Sequence, residues 1–394
     1  MEVLFVSHKY PPALGGMERQ SYALIQGMHR YTRVHVLVYD GSESLVNFFL
    51  QLKKRIYATL ASHAGISVLH FNDGLMGAWC QRFRKYPHVK RVVTFHGLDL
   101  VFPNFVYQRL LVPRFQHFDL IICVSQATAE AAIQRGLPPE KVRVILNGVD
   151  TARPTLRSKE ASRQFFCEVC GLSLDEKKKY VVGLGRAVKR KGFSWFLRQV
   201  MPMLDENTVF LLAGPFQRKD PFKAKLLYAL PSFLRHPIEL FWGWPSDTLA
   251  LRRILQEDTF QGRFHHLGPL SSEGIACLFS IADVFVMPNI AVPGDMEGFG
   301  LVGLEASLHG VPVFASALEG IPDAVHHGGN GHLLPSGEAR IWAEALQEYF
   351  EKGSVQEVPL ENPSAHTVAH FGWDKMVEAY YQAFAQLCGQ EERY

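Results

Sequence analysis

Between residues 284 and 315 the sequence follows a pattern that few architectures satisfy. Val284-Phe285-Val286-Met287 is short, wholly apolar and ends at Pro288, as expected of a strand buried on both faces. Glu297-Gly298-Phe299-Gly300-Leu301-Val302-Gly303-Leu304-Glu305 then leads into a helical pattern that runs to His309 and stops at Gly310, before Val311 to Ala315 restarts the apolar pattern. Two doubly buried strands joined by a helix form a parallel crossover unit. The same rhythm recurs at Val3 to Ser7, Val34 to Tyr39, Val68 to Phe71, Val92 to Phe95, Leu120 to Val124, Val142 to Leu146, Tyr180 to Leu184, Val209 to Ala213 and Phe264 to Leu267. The expected class is α/β, built from doubly wound parallel sheets. A chain of 394 residues has room for two or three domains. Residues 151–179 are polar and weakly periodic, which places the crossing between domains there. The expected division is 1–165 and 166–374, with a last helix over 375–394.

The loop at 297–305 carries chemistry as well as structure. Glycines let a ligand approach the backbone closely, and a helix starting near Gly300 offers free N–H groups and positive partial charge. Such a place suits phosphate. Glu297 before the turn and Glu305 inside the helix suit sugar hydroxyls instead. The plainer alternative is a glycine-rich loop with one solvated Glu and one Glu favoured by the helix dipole. Gly15-Gly16, between the first strand and a helical pattern over Met17 to Arg30, form a second candidate anion or close-approach site, with a simple tight turn as the alternative. The spacing is not G-x-G-x-x-G, which disfavours a nicotinamide cofactor. Thr94-Phe95-His96-Gly97-Leu98-Asp99 sets His96 at the carboxyl end of a strand, where open α/β sheets bind ligands. Gly185-Arg186-Ala187-Val188-Lys189-Arg190-Lys191-Gly192 follows another strand. Read from the residues alone this run is a solvated basic loop, and Lys189 and Arg190 fit that reading best.

Taken together, these segments resemble the retaining GT-B glycosyltransferases of family four. The 297–305 run is similar to that family's E-x7-E signature. The 94–99 run is similar to its T-x-H-G-x-D motif, residues 185–192 to its G-R-x-x-x-x-K-G segment, and Asn147-Gly148-Val149-Asp150 to the N-G-V-D that closes the first domain. The resemblance spans nearly the whole chain, with gaps near 45–65 and 216–246. It implies two Rossmann-like domains facing across a cleft, with the acceptor on the first and the nucleotide sugar on the second. It further implies His96, Arg186, Lys191 and Glu297 at the reaction centre, and Gly15, Gly16, Gly298, Phe299, Gly300, Leu301 and Glu305 around the donor. The implied reaction moves a sugar from a UDP- or GDP-sugar to an acceptor hydroxyl of a glycan, a lipid-linked glycan or a small molecule. It retains anomeric configuration, and neither a metal nor another cofactor is required. One departure stands out. The family counterpart of Ala317-Leu318-Glu319-Gly320-Ile321-Pro322-Asp323 has two glycines before Pro-Glu, whereas Glu319 replaces one glycine and Asp323 replaces the Glu. No ligand role is therefore read into that turn.

Charge is unevenly distributed. Residues 1–150 hold 17 Lys and Arg against 10 Asp and Glu, a balance of +7; from chain totals of 41 and 38, the remainder holds 24 against 28, a balance of −4. A basic first half suits an anionic partner such as a membrane surface or a phosphorylated acceptor. No nucleic-acid recognition motif is present. Leu45 to Leu60 has helical apolar spacing with Lys53-Lys54-Arg55 clustered within it. It reads either as a core-facing helix with a solvated basic turn or as a helix lying on an anionic membrane. Arg82 to Arg91 would extend the same face. The aromatic-rich stretch 216–246 reads as an insertion. No run of 18 apolar residues occurs, and Met1 to Val6 enters a strand without a basic n-region. The six cysteines include a Cys167-x-x-Cys170 pair with no partner pair at zinc spacing. The expected location is the cytoplasm, peripheral to the inner face of the membrane. Other readings of the fold are a sugar-nucleotide epimerase, a phosphorylase or a non-catalytic sugar- or lipid-binding protein.

Overall fold

The computed structural model describes the chain except for residues 14, 81–85, 153–156, 217–230, 232–245, 356–358, 361 and 390–394. Most of the aromatic insertion and the start of the 82–91 basic run therefore lie outside the described residues. The chain forms two compact units, Met1–Asp150 with Phe371–Tyr394, and Thr151–His370. The boundary expected at 165/166 falls inside the helix Lys159–Cys170, which packs its Phe166 into the core of unit two.

Unit one contains β1 (Glu2–Ser7), α1 (Gly16–Met28), β2 (Arg33–Val38), α2 (Leu45–Ser62), β3 (Ile66–Phe71), α3 (Gly74–Trp79), β4 (Lys90–Phe95), β5 (Leu120–Cys123), α4 (Gln126–Gln134) and β6 (Val142–Val144). Its six strands are all parallel, in the order β2-β1-β3-β4-β5-β6. The chain leaves β1 toward β2, then returns to β1's other side to lay down β3. This reversal opens a crevice beyond the carboxyl ends of β1 and β3. Short polar side chains start the helices: Ser44 accepts from the Asn47 N–H at 3.2 Å, and Ser125 accepts from the Thr128 N–H at 3.1 Å.

The helix over 45–62 has a core-facing surface. Phe48, Leu52, Ile56 and Leu60 are buried against the sheet, and Arg55 is tied to Glu43. Leu45, Val46 and Leu50 remain exposed at its amino-terminal end.

Unit two contains α5 (Lys159–Cys170), β7 (Lys179–Leu184), β8 (Thr208–Ala213), β9 (Phe264–Gly268), α6 (Ser272–Ile281), β10 (Val284–Met287), α7 (Leu301–Leu308), β11 (Val313–Ser316), β12 (Gly331–Leu334), α8 (Ala339–Lys352) and α9 (Pro363–His370). Its parallel order is β12-β11-β10-β7-β8-β9, so the reversal lies between β7 and β10. Ser271 caps α6 by accepting from the Gly274 N–H at 3.1 Å. Cys167 and Cys170 are free thiols on α5, one exposed and one half-buried.

The chain then returns to unit one with α10 (Trp373–Leu387), whose Met376, Val377, Tyr380 and Phe384 share a core with Val3, Phe5, Leu24 and Val92. Asn147-Gly148-Val149 forms the clasp for this return. The Val149 N–H donates to the Phe371 carbonyl at 2.7 Å, and the Trp373 N–H donates to the Val149 carbonyl at 3.1 Å. A Cβ on Gly148 would lie 2.7 Å from the Gly372 carbonyl carbon, so only glycine admits this crossing. Among the described residues, no helix is long and apolar enough to cross a membrane.

Candidate functional site

In unit two the reversal between β7 and β10 brings together the loops that follow those strands. Gly192 sets the fit. It has φ +66, and a Cβ there would overlap the Pro288 carbonyl oxygen. The Ile290 N–H donates to the Arg190 carbonyl at 3.0 Å, which ties the two loops together. Lys191 Nζ then lies 2.7 Å from Glu297 Oε2, with both side chains close to fully buried. Arg190 Nε is 3.4 Å from the same oxygen, and its Nη1 is 3.4 Å from Asp295 Oδ2. Asn289 Nδ2 donates to Glu297 Oε2 at 3.1 Å. Burial by itself would raise the pKa of Glu297, but Lys191 and Arg190 outweigh it and hold the carboxyl at about 2. Glu297 is thus an acceptor at any physiological pH. Asn289 Oδ1 is buried and has no partner among the described residues.

Glu297, Gly298 and Phe299 then lead into α7. Gly300 has φ +99 at the cap, where a Cβ would lie 2.7 Å from Met287 Cε. The first helical residue is Leu301. Glu305 lies farther along α7 and is half-buried. Arg186 is exposed at the end of β7. Lys191 and Glu297 are thus in direct contact, and the charge of Arg186 is close enough to act on Lys191.

One residue needs correcting and one needs adding. Arg190 is not part of a solvated loop: it is half-buried and paired with Asp295 and Glu297. Glu319 also belongs to the cluster. It keeps the left-handed backbone of the glycine it replaces, φ 53, at an energetic cost for a residue with a side chain. Its carboxylate accepts from the Glu297 N–H, and the Gly320 N–H donates to the Glu297 carbonyl at 3.1 Å. The turn after β11 therefore holds Glu297 by both backbone groups. Burial, reinforced by the charges of Glu297 and Asp295, raises the Glu319 carboxyl to about 7, although the Glu297 N–H bond works against this shift. The glycine replacement was the sequence signal for Glu319. Arg190 had none, because its acidic partner Asp295 lies over a hundred residues away.

In unit one, His96 stands at the end of β4. Its Nε2–H donates to the Asn72 carbonyl at 2.9 Å, which leaves Nδ1 as an acceptor. Asp99 is half-buried beneath this turn. It accepts from the His96 N–H at 2.7 Å and the Gly74 N–H at 2.9 Å, and therefore orients the loop. Burial raises its carboxyl. Gly15 and Gly16 begin α1, where the Glu18 carboxylate folds over Gly15 and lies 3.8 Å from Lys9 Nζ. The chain's own acid thus occupies the position where the sequence suggested an anion.

Two family models match the chain, Glycosyltransferase Family 4 over residues 2–153 and Glycosyl transferases group 1 over residues 178–352. The chain belongs to the family 4, group 1 glycosyltransferases. As a family member it is 25% identical over 299 residues to the putative colanic acid biosynthesis glycosyltransferase WcaL of Salmonella typhimurium, covering 73% of this chain and 61% of that protein. It is 26% identical over 306 residues to the amylovoran biosynthesis glycosyltransferase AmsK of Erwinia amylovora, covering 75% of this chain and 64% of that protein. The chain thus spans less than two thirds of the length of these curated relatives. The crystal structure of Anabaena HepE in complex with UDP-glucose superposes with a TM-score of 0.69 at 20% identity, covering 98% of this chain and all of that one. The family 4 chain therefore has the GT-B fold, with a parallel six-stranded sheet in each unit.

Proposed function

We propose that this chain is a retaining glycosyltransferase that moves a sugar from a nucleoside diphosphate to an acceptor hydroxyl in glycan, glycolipid or polysaccharide assembly. The observation that carries this reading is the buried Lys191–Glu297 pair at the β7/β10 reversal, beside the start of α7. A nucleotide sugar can divide such a pair without leaving either charge unpaired. Its diphosphate takes Lys191, Arg186 and the free amides of α7, and its sugar hydroxyls take Glu297. Glu305 is assigned to ribose and His96 to the reaction centre. As the bond from the anomeric carbon to phosphate oxygen breaks, the acceptor oxygen bonds to that carbon and its proton passes to the departing phosphate. Negative charge grows on the leaving group, where fixed cations and amide dipoles lower the barrier. A divalent cation is not required in this scheme. UDP is the first donor base to test, because HepE was solved with UDP-glucose. Polysaccharide assembly is favoured by the names of WcaL and AmsK. The basic balance of residues 1–150 favours an anionic acceptor or membrane surface on that side.

The test is a thermal-shift screen of UDP, GDP and their sugars, followed by turnover with the donor that binds. Bound ligand raises the melting temperature with occupancy. Glu297→Gln should lower kcat about 100-fold or more, and EDTA should leave the rate unchanged. If no nucleotide raises the melting temperature, the reading fails. Loss of turnover on chelation, restored by Mg²⁺, would remove the metal-free part of it.

A further inference from the structure

The β1/β3 reversal of unit one carries a second buried pair, and the scheme above does not use it. His8 follows β1 and Asp73 follows β3. His8 Nδ1–H donates to Asp73 Oδ2 at 2.9 Å, and Asp73 is 1% exposed. Asp73 Oδ1 also accepts from the Met76 N–H at 2.8 Å as the cap of α3, so the carboxylate is fixed from both sides. A neutral imidazole that donates from Nδ1 has an accepting Nε2. His8 Nε2 has no partner among the described residues.

Aromatic surface lies beside this pair. The Phe49 ring centroid is 5.9 Å from that of His8, and the Trp79 ring is 5.7 Å from Phe49 in an edge-on arrangement. The Trp79 indole N–H donates to the Phe49 carbonyl at 2.9 Å, which fixes the ring's orientation, yet Trp79 is 44% exposed. A large aromatic ring locked in place but left open to solvent is suited to receive a partner. The acceptor nitrogen and the open aromatic face together match one kind of ligand. A pyranose offers hydroxyl donors on its rim and a C–H face. A lipid chain would cover the aromatics but leave His8 without a hydrogen-bond partner.

We propose that His8, Asp73, Phe49 and Trp79 form a sugar-ring subsite of unit one, in which a pyranose hydroxyl donates to His8 Nε2 and the C–H face of the ring rests on the Trp79–Phe49 surface. Asp73 is a positioning residue that fixes the imidazole tautomer. The subsite deepens the transferase reading by naming a hexopyranose as the acceptor unit, and its role as acceptor rests on that reading.

The probes are methyl α-D-glucopyranoside, methyl α-D-galactopyranoside and methyl α-D-mannopyranoside, each at 20 mM, followed by saturation-transfer NMR with the full chain. UDP thermal shift on the same samples reports unit two separately. At least one glycoside should show transfer to its ring C–H protons. Trp79→Ala should cut that transfer at least threefold, and His8→Ala should weaken the affinity at least fivefold, with the UDP shift retained in both variants. Trp79→Ala removes an exposed side chain, so it tests the subsite even if His8→Ala fails to fold. Absence of transfer from all three glycosides overturns the subsite, and a retained UDP shift would then leave the transferase reading intact. Transfer unchanged in Trp79→Ala also overturns it, including the case in which that variant instead loses binding to vesicles of phosphatidylcholine and phosphatidylglycerol. Saturation transfer to a glycoside without any UDP shift would support the subsite and refute UDP as the donor nucleotide.

Discussion

Lys191 and Lys189 stand two residues apart in the same basic turn, but their environments predict opposite outcomes for the same substitution. Lys191 Nζ is 2.7 Å from a buried carboxylate, whereas Lys189 is exposed. Removing one member of a buried ion pair strands the other and costs about 3–5 kcal/mol. Arg190, 3.4 Å from the same Glu297 oxygen, partly offsets that loss, so Lys191→Ala should fall near the lower end. Lys189→Ala should stay within about 0.5 kcal/mol, as surface substitutions usually do. Urea denaturation of the two variants at pH 7 checks this, and equal losses would show that the pair is not the anchor. Acidic residues in the same cluster give opposite pH signatures. The Glu297 carboxyl is held at about 2 against an ordinary 4.5, so its stabilisation is present above pH 4.5 and is lost as pH falls toward 2. The Glu319 carboxyl is raised to about 7 from 4.5, so the folded state favours its protonated form. That contribution is present below pH 4.5 and disappears as pH rises through 7. Glu319→Gln keeps an oxygen that can accept from the Glu297 N–H and removes the titration. Between pH 6 and 8 the wild-type melting temperature should therefore fall more than that of the variant. Parallel melting curves across this range would exclude Glu319 as the group responsible.

At the scale of elements, the β7 and β10 loops depend on a backbone approach that only glycine permits. Gly192→Ala should push Pro288 away, separate Lys191 from Glu297 and weaken nucleotide binding at least tenfold. Gly262→Ala is the control, because Gly262 also has positive φ, +71, but a Cβ there meets nothing within 4 Å. Its effect should be limited to about 1 kcal/mol of backbone strain, with binding intact; the two variants compared by isothermal titration with UDP separate collision from strain. Much at this scale is legible in the sequence because the signals are local. Apolar runs mark the strands, Ser125 marks one helix start and Ser271 or Ser272 another, with Ser271 the cap in the structure, and Gly300 marks the cap of α7. Strand order is not local: no residue near Val284 indicates that β10 lies beside β7 rather than β9. The same limit explains Arg190 and Glu319. A basic run looks solvated until its acids are brought from 295, 297 and 319, and a Glu in a glycine position looks like a lost motif until its carboxyl is seen to hold the Glu297 N–H. For the 45–62 helix, spacing did not say which residues face the core, and only tertiary packing identifies them as Phe48, Leu52, Ile56 and Leu60.

At the scale of the whole molecule, the two units differ in how the chain builds them. Unit two is one continuous stretch, Thr151–His370, whereas unit one needs Phe371–Tyr394 in addition to Met1–Asp150. Tyr380 and Phe384 are fully buried in unit one against Phe5 and His70. Burying side chains of this size contributes about 1.5–3 kcal/mol each, a large fraction of the net stability of a domain. A chain truncated after His370 loses both, and it also loses the backbone bonds that Val149 makes to Phe371 and Trp373. Such a chain should therefore carry an unfolded or aggregating first unit. The excised fragment 151–370 should behave differently, because both core faces of its sheet and the Lys191–Glu297 pair lie within it. It should fold alone, melt cooperatively and retain a UDP-dependent thermal shift, while showing no transferase turnover because His96 and the His8–Asp73 pair are absent. A folded fragment that no longer binds any nucleotide would show that the buried pair is structural and that the donor is held elsewhere in the molecule.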